Sequence, residues 1–389
     1  MVELLAPAGD LEKLRYAYHY GADACYIGGL EYSLRARASN FSAADIKEAC
    51  ALKNSYGKKL YVTLNIIPHN ENLEGLVDYL HMLEEAGVDG VIVASPYIMK
   101  MAKKHTKMEV HISTQQSVVS SYSIDFFKSL GANRIVLGRE LTLSEIKEIK
   151  NSTNLDLEVF IHGGMCASYS GRCTLSNTFT LRDANRGGCA HSCRWSYDLY
   201  DNGIKINEEI PFKMGSKDLE AVKEITTLID IGINSLKIEG RMKSIHYLAT
   251  IINTYRMLID EYKETGKIED YDYYQTEIKK AENRVTAQGF LRGMPTKDSQ
   301  IYDSSEVPNK AFVGIIKKCG EYTLIEQRNY FRVGDTLEVF SPSKKVKRFK
   351  VEEILNENKE PVDAARHPQE MLYLKIPFEV KEYDLLRLI

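Results

Sequence analysis

Four of the seven cysteines, Cys166, Cys173, Cys189 and Cys193, crowd into one short stretch. It reads His162-Gly-Gly-Met-Cys166-Ala-Ser-Tyr-Ser-Gly-Arg-Cys173 and then Gly187-Gly-Cys189-Ala-His-Ser-Cys193-Arg-Trp195. Cys25, Cys50 and Cys319 are scattered. Thiols cluster for disulfides or for a metal. The chain opens at Met1 with Glu3 and Asp10 and shows no apolar leader, so a reducing cytoplasm is the expected compartment and disulfides are the weaker expectation. Four soft thiolates point to an iron–sulfur cluster or to zinc. His191 is a fifth donor by position, although such residues are usually loop histidines. Trp195, the one tryptophan, is expected to pack the segment.

A second set of polar residues stands where apolar strands end. Asn65, Ser113-Thr114-Gln115, Arg139-Glu140, His162 and Glu239-Gly-Arg241 each follow an apolar run. Arg139, Glu140, His162, Glu239 and Arg241 form the candidate catalytic set. A planar guanidinium matches carboxylate and phosphate, and either glutamate has the alternative of simply pairing an arginine. Arg35, Arg37, Asn65 and Gln115 are the candidate substrate ligands; for each, a loop-capping role competes.

These residues need a scaffold that brings strand ends to one face. Along the first 240 or so residues a helix, a Gly, a small residue, Asp or Asn and a short apolar strand recur, as at Gly21-Ala-Asp23, Gly87-Val-Asp89, Gly131-Ala-Asn133 and Gly232-Ile-Asn234. With further strands at 3–5, 60–64, 110–112 and 157–161 the count is eight, which predicts a TIM-like (β/α)8 barrel of the α/β class over residues 1–290. A doubly wound sheet is the competitor. The cysteines fall in a long insertion after strand 7, about 162–234, at the barrel's catalytic face. Residues 291–307 read as a linker, and 308–389 as a small C-terminal antiparallel β-barrel domain.

Composition narrows the classes. The chain is 44% hydrophobic and 27% charged with a formal net charge of −3, so nucleic acid is not gripped by overall charge. No stretch is long and apolar enough for a membrane span. Lys344, Lys345, Lys347 and Arg348 make a local basic run, read as a candidate RNA contact against the commoner solvated face. His-Glu-x-x-His, Gly-x-Ser-x-Gly and phosphate-loop motifs are missing.

The segment from Glu158 through Cys166 to Gly171-Arg-Cys173-Thr-Leu-Ser176 resembles the signature of the collagenase-like peptidase family of unknown catalytic type, with Gly164 where Ser or Ala is expected. Leu5-Ala-Pro-Ala-Gly9, Leu137-Gly-Arg-Glu140, Lys237-Ile-Glu-Gly-Arg241 and Arg284-Val-Thr-Ala-Gln-Gly-Phe290 carry the resemblance along nearly the whole chain. It implies a four-iron cluster on Cys166, Cys173, Cys189 and Cys193; some relatives take the fourth ligand from further along, but here the next cysteine is Cys319. It also implies oxygen-independent hydroxylation. The branch with a short C-terminal β-domain hydroxylates the wobble uridine of tRNA with prephenate as co-substrate, and Arg139 and Arg241 would suit that dicarboxylate. The implied partners are tRNA and prephenate, with a second subunit of the same family as a further candidate. The alternatives are a peptidase, a zinc-stapled RNA-binding protein, and a hydroxylase acting on another RNA.

Overall fold

A computed structural model describes residues 2–34, 40–206, 211–281, 284–300 and 311–389. The candidates Arg35 and Arg37 lie outside them, as do residues 301–307 of the expected linker. The chain divides into two compact units, Met1–Tyr18 with Ala22–Lys243 and Arg284–Ser305, and His19–Gly21 with Ser244–Asn283 and Glu306–Ile389.

The first unit is a closed parallel barrel. Strands β1 (Glu3–Pro7), β2 (Ala24–Gly28), β3 (Lys59–Leu64), β4 (Gly90–Val93), β5 (Glu109–Ile112), β6 (Arg134–Val136) and β7 (Asp156–Gly163) pair in sequence order. An eighth strand, Ser235–Ile238, pairs with both β1 and β7 and shuts the ring. That closure removes the doubly wound alternative. The strands are buried on both faces because helices α1 (Leu11–His19), α2 (Ala43–Tyr56), α3 (Leu76–Ala86), α4 (Pro96–His105), α5 (Ser121–Ser129) and α6 (Leu143–Ser152) cover the outside. The recurring glycine does what the spacing predicts: Gly87 caps α3 at φ +90°, with its N–H on the Glu84 carbonyl.

Charge fills part of the barrel's interior. Glu158, fully buried on β7, accepts from Lys237 Nζ at 2.6 Å and from Arg134 Nη1 at 3.3 Å. Arg134 also reaches Glu3, which accepts from Ser235 Oγ and Tyr61 Oη at 2.8 Å each. Lys237 lies over the rings of Tyr26 (4.6 Å) and Phe160 (5.3 Å).

Between β7 and the eighth strand the chain makes short turns, a helix Leu175–Thr180, a hairpin Tyr200–Asp201 with Ile204–Lys205, and a strand Asp218–Glu220. That last strand runs antiparallel against the end of β7, Leu219 opposite Gly163 and Glu220 opposite His162.

The second unit joins helices Ile245–Thr265 and Tyr271–Lys279 with an eight-stranded antiparallel sheet. Its terminal strands, Lys347–Lys350 and Pro361–Val362, do not pair with one another, so the small C-terminal antiparallel β-domain the sequence predicts is a half-barrel sheet. Beneath it Arg387, 1% exposed, bonds Glu277, Glu338, His246 and Thr250. Among the described residues no helix is long and apolar enough to cross a membrane.

Candidate active site

The cysteine segment leaves the barrel through a turn that only glycine makes easily. Gly163 ends β7 at φ +103°, and a β-carbon there would overlap the Glu239 carbonyl oxygen. Gly164 has ordinary space, with Glu239, Asp218 and Arg194 all beyond 3.5 Å of an added β-carbon, so the Ser or Ala of the family signature is sterically optional.

Side chains of the barrel and of the segment itself then fasten the loop. Arg194 donates Nη1 to the Ser216 carbonyl (2.8 Å) and Nη2 to the Met165 carbonyl (2.9 Å), with Asp218 at 3.6 Å. Glu140 accepts from both the backbone N–H and the hydroxyl of Ser170. Arg172 Nε donates to the Gln115 carbonyl at 2.9 Å, and Asn185 Nδ2 to the Cys173 carbonyl at 3.1 Å.

All four cysteines are free thiols; Cys166, Cys173 and Cys193 are half-buried and Cys189 is exposed. Cys166 Sγ lies 3.1 Å from Ser168 Oγ, and Cys173 Sγ accepts from Leu175 N–H at 3.3 Å. Burial pushes the Cys193 thiol up, Arg194 opposes it, and negative charge on Cys166, Cys189 and Cys173 pushes it further. Among the described residues, no three His, Cys, Asp or Glu donors gather around a single point. The donor set fits a soft metal chemically, since thiolates are the ligands of iron–sulfur clusters and of structural zinc alike. His191 is exposed and opens the 192–194 turn at φ 56°. Trp195 is 43% exposed, so it does not pack the segment as expected.

The remaining mouth candidates are mostly engaged. Arg139 donates to the Gly164 carbonyl at 2.7 Å, its guanidinium 4.9 Å from the Phe160 ring, so one of its roles is to hold the cysteine loop. His162 is buried; burial first and Lys243 second bring its pKa down to about 3, which keeps the imidazole neutral. Glu239 N–H donates to the His162 carbonyl at 2.8 Å. Asn65 accepts from Leu34 N–H at 3.1 Å, a loop-capping bond. Gln115 is buried, with Ser113 Oγ 3.3 Å from its side chain. Arg241, 4% exposed, donates to Ser33 Oγ at 3.1 Å across the end of β2. A β-carbon on Gly28 would overlap that guanidinium. Gly28→Ala is therefore expected to displace Arg241 and cut turnover by about 10-fold or more, judged by product per enzyme against an unchanged far-UV spectrum.

In the second unit, Lys344, Lys345, Lys347 and Arg348 are exposed. Lys347 and Arg348 belong to the edge strand Lys347–Lys350, and Arg348 Nε stands 3.8 Å from Glu338. The residues the sequence did not flag, which the structure places in the barrel interior and the cysteine loop, are Lys237, Glu158, Arg194 and Asn185. The first two had a signal: a charge inside an otherwise apolar strand.

Comparison with known proteins adds the following. The family model of peptidase family U32 matches residues 9–301, and that of the peptidase family U32 C-terminal domain matches residues 308–387. A protein of Bacillus subtilis (strain 168) named tRNA hydroxylation protein P1 is 44% identical over 397 aligned positions, covering 99% of this chain and 94% of its own. The 23S rRNA 5-hydroxycytidine C2501 synthase of Escherichia coli (strain K12) is 39% identical over 259 positions, 67% of this chain and 39% of that one. A protein of Porphyromonas gingivalis named collagenase is 28% identical over 372 positions, 90% of this chain and 89% of its own.

Proposed function

The chain belongs to peptidase family U32, and within it we propose that this protein is a cytoplasmic tRNA-modifying hydroxylase, not a peptidase. The observation that carries the proposal is the end-to-end match at 44% identity to a tRNA hydroxylation protein, across both the barrel and the C-terminal unit. Its finer content is hydroxylation of the wobble uridine without oxygen, with prephenate as co-substrate and a [4Fe-4S] cluster on Cys166, Cys173, Cys189 and Cys193. Such a cluster, when bound, supplies the electron-transfer capacity that side chains lack. The chain's own residues bind and orient. Glu140 and Arg139 hold the cysteine loop to the barrel, Arg194 ties the loop to itself, and Arg241 stands across the end of β2, where a carboxylate would meet its guanidinium. His162, neutral and buried, adds no charge to that face.

The exposed lysines of the C-terminal unit are assigned to the RNA backbone. Replacing Lys344 and Lys347 by alanine is expected to weaken tRNA binding and to lower the slope of log affinity against log salt by roughly 1.5, measured by filter retention across a salt series. A slope unchanged by the double replacement removes these residues from the interface.

The test of function is nucleoside mass spectrometry on total tRNA from a strain lacking this gene and any paralogue. Hydroxylated wobble uridine is expected to vanish and to return with the wild-type gene; its persistence in the deletion strain overturns the proposal. The family's name and the collagenase relative favour a peptidase reading. That reading predicts gelatin cleavage by the pure protein, lost on a single replacement at the barrel mouth.

A further inference from the structure

A cleft of about 420 Å³ opens at the barrel face between the loop after β3, the turn after β5 and the cysteine segment. Its size is that of a small-molecule site. Its walls are fastened to each other. Ile67 N–H donates to the Asn185 carbonyl at 2.9 Å, Arg172 to the Gln115 carbonyl at 2.9 Å, and Arg186 to Glu71 and to Asn72. Asn185 also donates to the Cys173 carbonyl, so one wall of the cleft is bonded directly to a cluster-ligand candidate.

The lining chemistry selects among ligands. Gln115 and Asn185 present amides, each with donor and acceptor atoms, and Ile67 presents an apolar face. Arg172 brings a planar guanidinium at the exposed rim. Arg186 is already matched by Glu71, and Asp183 places a carboxylate in the same wall. A dicarboxylate would meet Asp183 with little uncompensated positive charge to offset it. A flat, neutral group with hydrogen-bonding edges fits: unpaired RNA bases are recognised by stacking on apolar or guanidinium surfaces and by amide contacts to their edges.

Building on the tRNA reading above, we propose that this cleft receives one splayed-out nucleobase of the RNA, its edge bonded by Gln115 and Asn185 and its face set between Ile67 and Arg172. The Asn185 bond to Cys173 then fixes the base relative to the cysteine loop.

The test uses the full-length protein and an anticodon stem-loop RNA carrying 4-thiouridine at the wobble position, irradiated and mapped by peptide mass spectrometry. Cross-links are expected in the segments 67–69 or 172–186. Gln115→Ala and Asn185→Ala should each lower the yield about five-fold, the loss of one net hydrogen bond. Filter retention of the RNA should stay within about two-fold, since phosphate contacts dominate affinity. Cross-links elsewhere, or none on retained RNA, overturn the assignment. So does a cross-link abolished by added prephenate at unchanged retention, which would give the cleft to the carboxylate. If the wild-type gene restores hydroxyuridine to the deletion strain while the cross-link maps elsewhere, the cleft assignment alone falls. If the cross-link maps here but the gene restores nothing, the hydroxylase reading falls and the cleft stands as an RNA site.

Discussion

Replacing Cys173 by serine is expected to lower wobble-uridine hydroxylation by more than about 100-fold, a loss at least as large as that from disturbing a metal site's supporting residues. The replacement is nearly isosteric, and what it changes is donor softness: a hydroxyl is a poor ligand for iron beside three thiolates. The fold gives little reason for collateral damage. Cys173 is half-buried in the segment between β7 and the eighth strand, and its sulfur accepts from the Leu175 N–H, as a serine hydroxyl also can. The metal-free unfolding midpoint should therefore move by no more than about 2 °C, the range of a tolerated surface change. Nucleoside mass spectrometry of tRNA from the complemented deletion strain, beside a melting curve of the purified variant, checks both halves. Hydroxylation retained at a tenth of wild type or better, with soluble variant protein, would mean that this thiol is not a ligand on which turnover depends.

Glu158→Gln should be the most damaging conservative change in the barrel. Glu158 has no exposed surface, and its carboxylate stands between Lys237 at 2.6 Å and Arg134 at 3.3 Å. An amide there strands one buried cation, a loss of about 3–5 kcal/mol and a barrel midpoint lower by roughly 10 °C. Burial raises the Glu158 pKa, but Lys237 and then Arg134 outweigh it and hold it below the usual carboxylate value. A depressed carboxylate contributes its full stability above the unfolded pKa of about 4.3, and loses it as pH falls through the lower folded value. The gap between wild type and variant should thus be constant near neutrality and close in acid. Denaturant unfolding at pH 7 and at a series of acidic pH values measures it; a gap below about 1 kcal/mol at neutral pH would show that Glu158 does not carry the network.

The barrel was legible because its strands are short apolar runs, several of them announced by a helix-ending glycine, and Gly87 and Gly232 adopt the left-handed backbone that the pattern implies. The cysteine segment was legible from its thiols alone. What the sequence hid depends on partners far apart in the chain. Nothing local to Asp218-Leu-Glu220 says that it lies antiparallel against His162 and Gly163. Arg194 and Asn185 look like ordinary loop residues until the carbonyls of Met165 and Cys173 come within reach. In the C-terminal unit, strand Lys347–Lys350 has one inward residue, Phe349, among cations, so its alternation was masked by charge and it read as a basic run. Leu385–Leu388 was missed because Arg387 interrupts an apolar run, and that arginine is buried through partners more than forty residues away.

The measurement that bears most directly on the whole account is the iron, acid-labile sulfide and zinc content of protein purified without oxygen, wild type beside Cys166→Ser and Cys173→Ser. The account predicts iron and sulfide in near-equal amounts in the wild type, lost from both variants. Zinc alone, reproducibly and without sulfide, would contradict it, leaving a metal-stapled loop with no means of carrying out the proposed hydroxylation.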